Sequence, residues 1–189
     1  MGFLDSILGG RKRLQGPAAD RLFAMSTAAV TLETGLGMKS RGVAAIVFQQ
    51  IASADFKQII TDTSELLQSA AKDTGTQLEQ KDDDYGYHWI VFRDEDFDDL
   101  VTSVNTVSDE LQAGGYGDRL LAAVFVWEEE GKPVYFIYNF KRGKFYPFVP
   151  TGEKERDTEH EFRLKAQLER DLPIEPELER WFPLWDAPL

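Results

Sequence analysis

The stretch LLAAVFVWEEEGKPVYFIYNFKRGKFYPFVP, residues 120–150, decides the fold. Residues 121–127 form a nearly continuous apolar run, which suits a strand covered on both faces. The charged run that follows holds Gly131, whose freedom at positive φ lets the chain reverse. Residues 134–140 resume β-branched and aromatic side chains, and Lys141-Arg142-Gly143-Lys144 makes a second turn. Residues 145–149 then read as a third strand, which Pro147 pushes toward a sheet edge because it has no N–H for a ladder. Three strands on two short turns make an antiparallel meander, and one this apolar has to be covered by helices.

The flanks supply them. Gly16-Pro17 opens the folded part. Residues 18–25 read as a short helix with Leu22, Phe23 and Met25 inward, residues 28–33 as a first strand and residues 42–51 as a second. Ser53 or Asp55 caps the next helix, along which Phe56, Ile59, Ile60, Thr63, Leu67 and Ala70 share one face before Gly75 stops it. Residues 76–80 make a polar strand near an edge, residues 81–86 a turn and residues 87–93 a strong strand. Asp94, Glu95 and Asp96 then open a helix at the end where its dipole favours negative charge. Its buried stripe is Phe97, Leu100, Val101, Val104, Val107 and Leu111. After the meander, Thr158 and Glu161 have the spacing of a capping box, Phe162, Leu164, Leu168 and Leu172 give a helix its apolar side, and Pro173 ends it. The resulting order, ββα-ββα-βββα, predicts an α+β domain over residues 16–189, with helices packed mainly on one face of an antiparallel sheet.

Composition narrows the function classes. A net charge of −12 opposes non-specific binding to nucleic acid by the surface as a whole. The absence of cysteine excludes disulfides, thiolate zinc sites and cysteine nucleophiles. No window approaches eighteen consecutive apolar residues, and the N-terminus lacks a secretory core, so the expected location is cytoplasmic. Residues 1–15 form a separate segment: Phe3, Leu4, Ile7 and Leu8 fall on one side at helical spacing, followed by Arg11, Lys12 and Arg13. An apolar wedge with adjacent cations suits peripheral contact with the inner face of a membrane; the alternative is a segment that packs on its own domain or on a partner.

Motifs for chemistry are sparse. His88 and His160 lie in different elements, and neither has metal-motif spacing. Asp82-x-Asp84-x-Gly86 resembles a calcium loop, but Arg93 stands where its bidentate acid is required. No phosphate-binding glycine loop follows a strand, and the nucleophile elbow is absent. KRGKFYPF, residues 141–148, interleaves cations and aromatics as RNA-binding sheets do, but Pro147 interrupts it and no second aromatic strand motif accompanies it. The sequence therefore assigns no catalytic residue, metal, cofactor or nucleic acid. The tail IEPELERWFPLWDAPL, residues 174–189, crowds Trp181, Phe182, Leu184 and Trp185 between Pro176 and Pro188; it either latches over the sheet or presents a docking surface.

Five stretches together carry a family resemblance: MGFLDSILG, LFAMSTAAVTLET, DDDYGYHWIVFRD, YNFKRGKFYPFVPTG and LPIEPELERWFPLWDAPL. With them the chain resembles the PspA-associated protein PspAB family of actinobacteria and some archaea, over nearly its whole length. The resemblance implies a non-enzymatic adaptor or regulator of the phage-shock envelope-stress system, binding phage-shock protein A (PspA) or another PspA-associated protein. It carries over no catalytic residue. The partner-binding residues expected from side-chain type are Lys141, Arg142, Lys144, Phe145, Tyr146, Trp181, Phe182 and Trp185, since aromatics and cations dominate interface hot spots. Two other classes stay open: a small-molecule enzyme with a site of Asp, Glu, Tyr and Arg side chains, and a chaperone-like dimer whose sheet binds client segments.

Overall fold

A computed structural model describes residues 19–83, 85–185 and 187–189. The meander forms as its sequence requires, from β4 (Leu120–Glu129), β5 (Lys132–Asn139) and β6 (Lys144–Phe148), preceded in the chain by β1 (Lys39–Gln49), β2 (Gln77–Asp82) and β3 (Tyr87–Arg93). Phe125 stands opposite Phe136, and Ile137 opposite Tyr146. The β4–β5 turn places both Glu130 and Gly131 at positive φ, the conformation that matches the twist of two strands joined by two residues. The sheet order is β2-β3-β1-β4-β5-β6, and every neighbouring pair is antiparallel. The strand with Pro147 is an edge, and so is the polar strand β2. A two-stranded ribbon, β7 (Pro150–Gly152) and β8 (Glu155–Arg156), follows the meander.

Helices α1 (Ala19–Val30), α2 (Ala54–Thr74), α3 (Phe97–Ala113) and α4 (Thr158–Leu168) contribute to one buried cluster with Ile46, Phe48, Phe92, Phe125, Trp127, Phe136 and Phe145 of the sheet. Ser53 and Asp96 cap α2 and α3, accepting from the N–H groups of Phe56 and Asp98. The first unit departs from the expected order. Residues 28–33 are helical, continuing α1 into a single wide turn at Thr31–Gly35. Leu22, Met25, Ala28 and Leu32 are buried at helical spacing, whereas the β-branched Val30 and Thr31 lie off that stripe. Only β1 remains there, so the order is α-β-α-ββ-α-βββ, then the ribbon and α4. Phe23, expected inward, is partly exposed for the same reason.

The opposite face of the sheet is sealed by extended chain. Val43, Ala45, Val47, Val91, Val124, Val126 and Ile137 are buried there beneath the C-terminal residues. This strap starts on the β6 edge: the Phe145 N–H donates to the Pro173 carbonyl at 2.9 Å, and the Glu175 N–H donates to the Phe145 carbonyl at 2.8 Å. The strap thereby satisfies part of an edge that would otherwise be open to pairing. Trp181 then stacks with Tyr146, and Trp185 meets Phe148 edge-on. At the far edge, Lys81 Nζ of β2 donates to the Pro188 carbonyl at 3.2 Å. The tail is thus a latch, crossing the sheet from β6 to β2.

Candidate functional site

The residues singled out from sequence meet around the β5–β6 turn and the start of the strap, but they do not share one role. Asn139 builds the turn: its backbone carbonyl accepts from the N–H groups of Arg142 and Gly143, and its side chain accepts again from Arg142. Gly143 has φ of 63°, and a Cβ there would lie 2.6 Å from Arg21 Nη1. Lys141 and Arg142 are exposed, and Lys144 is half-buried.

Arg142 is already engaged. Its Nε donates to Glu175 Oε2 at 3.0 Å, and its Nη2 lies 3.9 Å from Glu177 Oε1. The Glu175 side chain is only 2% exposed, and its other oxygen accepts from the Glu177 N–H. Burial pushes the Glu175 carboxyl up; the hydrogen bonds from Arg142 and the Glu177 N–H, with the charges of Arg142 and Arg180, outweigh it and hold the group below its ordinary range. Charge reversal at Arg142 therefore breaks a buried carboxylate's pairing.

Phe145, Tyr146 and Trp181 are buried. Tyr146 donates its phenolic proton to the Phe182 carbonyl at 3.0 Å, and Trp181 Nε1 donates to the Glu175 carbonyl at 3.0 Å. Burial pushes the Tyr146 phenol well above its ordinary value, against a small opposing pull from Arg156. The Tyr146 and Trp181 rings hold the strap, Phe145 packs toward the helices, and none of the three is accessible as a grip. Trp185 is half-buried, whereas Phe182 is 56% exposed. Phe162, whose ring centroid is 6.1 Å from that of Trp181, and Leu178 are also exposed beside it. The accessible remainder of this edge is therefore Lys141, Arg142 and Lys144 with Leu178, Phe182 and Phe162.

Glu161 is a site residue that the sequence pattern disguised. The cap of α4 is Asp157, which accepts from the His160 N–H. Glu161 instead points inward, fully buried, where Oε1 accepts from the Val149 N–H at 2.8 Å and both oxygens accept from Arg156 Nε at 3.0 Å. Arg156 Nη1 donates to the Trp181 carbonyl at 2.8 Å, and the guanidinium lies 5.1 Å from the Phe148 ring centroid. One ion pair thus ties α4, the end of β6 and the strap. Buried Glu161, Leu164 and Leu168 fall at helical spacing, and Phe162 does not, a signal that was present in the sequence.

The histidines remain apart. His88 Nδ1 is 2.6 Å from Asp82 Oδ1, and its Nε2 is 3.1 Å from Gln80 Oε1, so neighbouring strand residues engage both ring nitrogens. His160 Nε2 lies 2.7 Å from Glu129 Oε2. Among the described residues no group of three or more histidine or acidic side chains is arranged to hold a metal ion, and no helix is long and apolar enough to cross a membrane. Phe3, Leu4, Ile7, Leu8, Arg11, Lys12 and Arg13 lie outside the described residues.

Fold and edge chemistry together define a class: an antiparallel α+β domain with helices on one face, a C-terminal strap on the other, and a cationic, aromatic border along β6. The chain belongs to the PspA associated protein B family, PspAB, whose model matches residues 1–189. Comparison with curated proteins and with solved structures finds no match. The family's description ties its members to PspA by association.

Proposed function

We propose that the protein is a non-enzymatic adaptor or regulator of the phage-shock envelope-stress system, which engages PspA or another PspA-associated protein through the β6 border. One observation carries this reading: in a chain of net charge −12, the β5–β6 turn that carries Lys141, Arg142 and Lys144 adjoins the start of the strap, and Leu178 and Phe182 of that strap are exposed, with Phe162 beside Trp181. A basic rim steers an acidic helical segment of a partner, and exposed aromatics grip its apolar face. Tyr146, Trp181 and Trp185 serve the interface from beneath by fixing the strap on which Phe182 rides, and Phe145 pairs its backbone with the strap's start. The N-terminal wedge, Phe3 to Leu8 with Arg11, Lys12 and Arg13, adds contact with the inner membrane face, each cation contributing about 1 kcal/mol near an anionic surface.

Purified PspA titrated against the protein tests the border. Lys141→Glu with Lys144→Glu and Phe182→Ser should weaken binding at least tenfold while leaving Tm within about 2 °C, because these side chains are not part of the packed interior. Unchanged affinity in that variant refutes the assignment. Removal of residues 1–13 should reduce co-sedimentation with anionic vesicles and leave affinity for PspA in solution unchanged.

A further inference from the structure

The strap closes only one edge of the sheet. It pairs with β6, whereas β2 bonds to β3 alone, and none of the six residues of β2 is buried. Hydrogen-bond parity shows which backbone groups that edge leaves unpaired. The Asp83 N–H donates to the Tyr87 carbonyl, and on the other side of β3 the Asp94 N–H donates to the Gly42 carbonyl. Bonded positions alternate along an antiparallel pair. Gln77, Glu79 and Lys81 therefore direct their backbone groups to β3, and Leu78, Gln80 and Asp82 direct theirs outward. Among the described residues nothing bonds to those outward groups. Helix α2 sits inboard of the edge. Ile59 and Leu66 lie on its α3 side, where Ile59 Cδ1 approaches Gly114 and Leu66 lines a cleft with Thr102 and Thr106. Ser64 lies about 160° around the helix from Leu66. It accepts from Gln80 Nε2 at 2.7 Å, so β2 extends outboard of the helix axis. Glu79 and Lys81 point to the other face of the sheet. There Lys81 Nζ lies 3.1 Å from Glu79 Oε2, with side chains 30% exposed for Lys81 and 53% for Glu79.

We propose that β2 pairs with β2 of a second copy of this chain, antiparallel about a twofold axis at Gln80, joining two six-stranded sheets into one. Charge complementarity selects this occupant and its register. Pairing through the outward groups places the axis at a single residue, and near the middle of β2 that residue is Glu79, Gln80 or Lys81. An axis at Glu79 sets Glu79 against Glu79, and one at Lys81 sets Lys81 against Lys81. An axis at Gln80 sets Glu79 of each copy against Lys81 of the other. That contact occurs twice, at non-hydrogen-bonded pairs, where opposed side chains come closest. On the helix face Leu78 then stands opposite Asp82, and Gln80 opposite Gln80, so no like charges are opposed. The ladder satisfies the outward backbone groups of Leu78, Gln80 and Asp82 in both copies, and an edge open to indiscriminate pairing becomes a specific interface. Both β6 edges stay at the outer ends of the joined sheet, so the pairing does not depend on PspA binding.

Sedimentation equilibrium of the full chain from about 10 μM to about 1 mM covers the association expected of a short, polar interface, and a dimer should form within that range. Glu79→Lys and Lys81→Glu should each raise the dissociation constant by about tenfold or more, because each sets like charges opposite one another twice. An equimolar mixture of the two variants should dimerise again, since each strand then meets opposite charge at both positions. Recovery on mixing also excludes misfolding as the cause of the loss. The chain has no cysteine, so chains carrying Glu79→Cys can be mixed with chains carrying Lys81→Cys and oxidised. The disulfide should join unlike chains, because Cα atoms of a non-hydrogen-bonded pair lie about 4.5 Å apart, within disulfide reach. Four results would each overturn the proposal: wild-type protein monomeric throughout, a dimer that both charge reversals leave intact, a mixture that stays monomeric, or disulfides that join like chains.

Discussion

Glu161 provides the most direct test of what binds the strap to the domain. Its carboxylate is fully buried and carries the Val149 N–H and the Arg156 guanidinium, with Arg156 Nη2 at 2.8 Å from Oε2. Glu161→Ala removes every acceptor at once. Breaking a buried pair by deleting one partner costs about 3–5 kcal/mol, and Arg156, one-fifth exposed, can recover some hydration, so about 3 kcal/mol is expected. For a chain of this length that corresponds to a fall in Tm of about 6–12 °C. Glu161→Gln keeps an acceptor for Val149 and should cost about half as much. Arg156→Met should cost more than Glu161→Ala, because it strands a carboxylate that water cannot reach. It also removes the bond to the Trp181 carbonyl, so tryptophan emission should shift red before the helical signal is lost. Urea unfolding followed by circular dichroism and by fluorescence measures both effects. The double variant Glu161→Ala with Arg156→Met should lose far less than the sum of the two single variants, since neither partner is then left buried alone. A coupling energy below about 0.5 kcal/mol in that cycle would refute the account.

The Glu175 carboxyl, held below its ordinary range in the folded protein, contributes stability that is present above the unfolded value near 4.3 and is lost as pH falls through the folded one. Acid titration should therefore loosen the strap below about pH 4, and Arg142→Gln should move that transition to higher pH; an unmoved transition would count against the pairing. Burial pushes the Tyr138 phenol up to about 12, so its stabilising effect is complete below the unfolded value near 10 and fades as pH rises through about 12. Ultraviolet titration at pH 11 should show no loss of tyrosinate absorbance for Tyr138→Phe, and a full residue's loss would mean that the ring is not buried.

The fold was legible wherever one periodicity stood unopposed. The stripe of α3, the apolar run of β3 and the turn residues of the meander each specify one conformation, and the structure has them. Residues 28–33 failed because Val30 and Thr31 carry strand propensity while Ala28 and Leu32 carry helical spacing. Propensity differs by tenths of a kcal/mol per residue, whereas burying a leucine and packing it against the sheet is worth about 2 kcal/mol, so the spacing prevails. Glu161 was misread for a related reason. The four-residue pattern of a capping box also describes an acid that turns inward, and the helical spacing of Glu161 with Leu164 and Leu168 is what favours the second.

The candidate site was harder to read because an interface and a sealed sheet draw on the same side chains. KFYPF and RWFPLW are as rich in aromatic residues as a hot spot, but strand alternation separates the rings by destination. Phe145 faces the helices, Tyr146 and Phe148 face the strap, and Trp181 stacks on Tyr146. Phe182, one residue on, is turned outward while its carbonyl is held by Tyr146. Adjacent residues on one extended segment thus divide between fixing the strap and facing solvent. Under the proposed function, the stronger the strap's inward bonds, the less entropy Phe182 has left to lose when a partner docks. On that argument Tyr146→Phe, which frees the Phe182 carbonyl without opening a cavity, should cost more free energy in PspA binding than in folding stability. Equal affinity in that variant would mean that the strap's order contributes nothing to recognition.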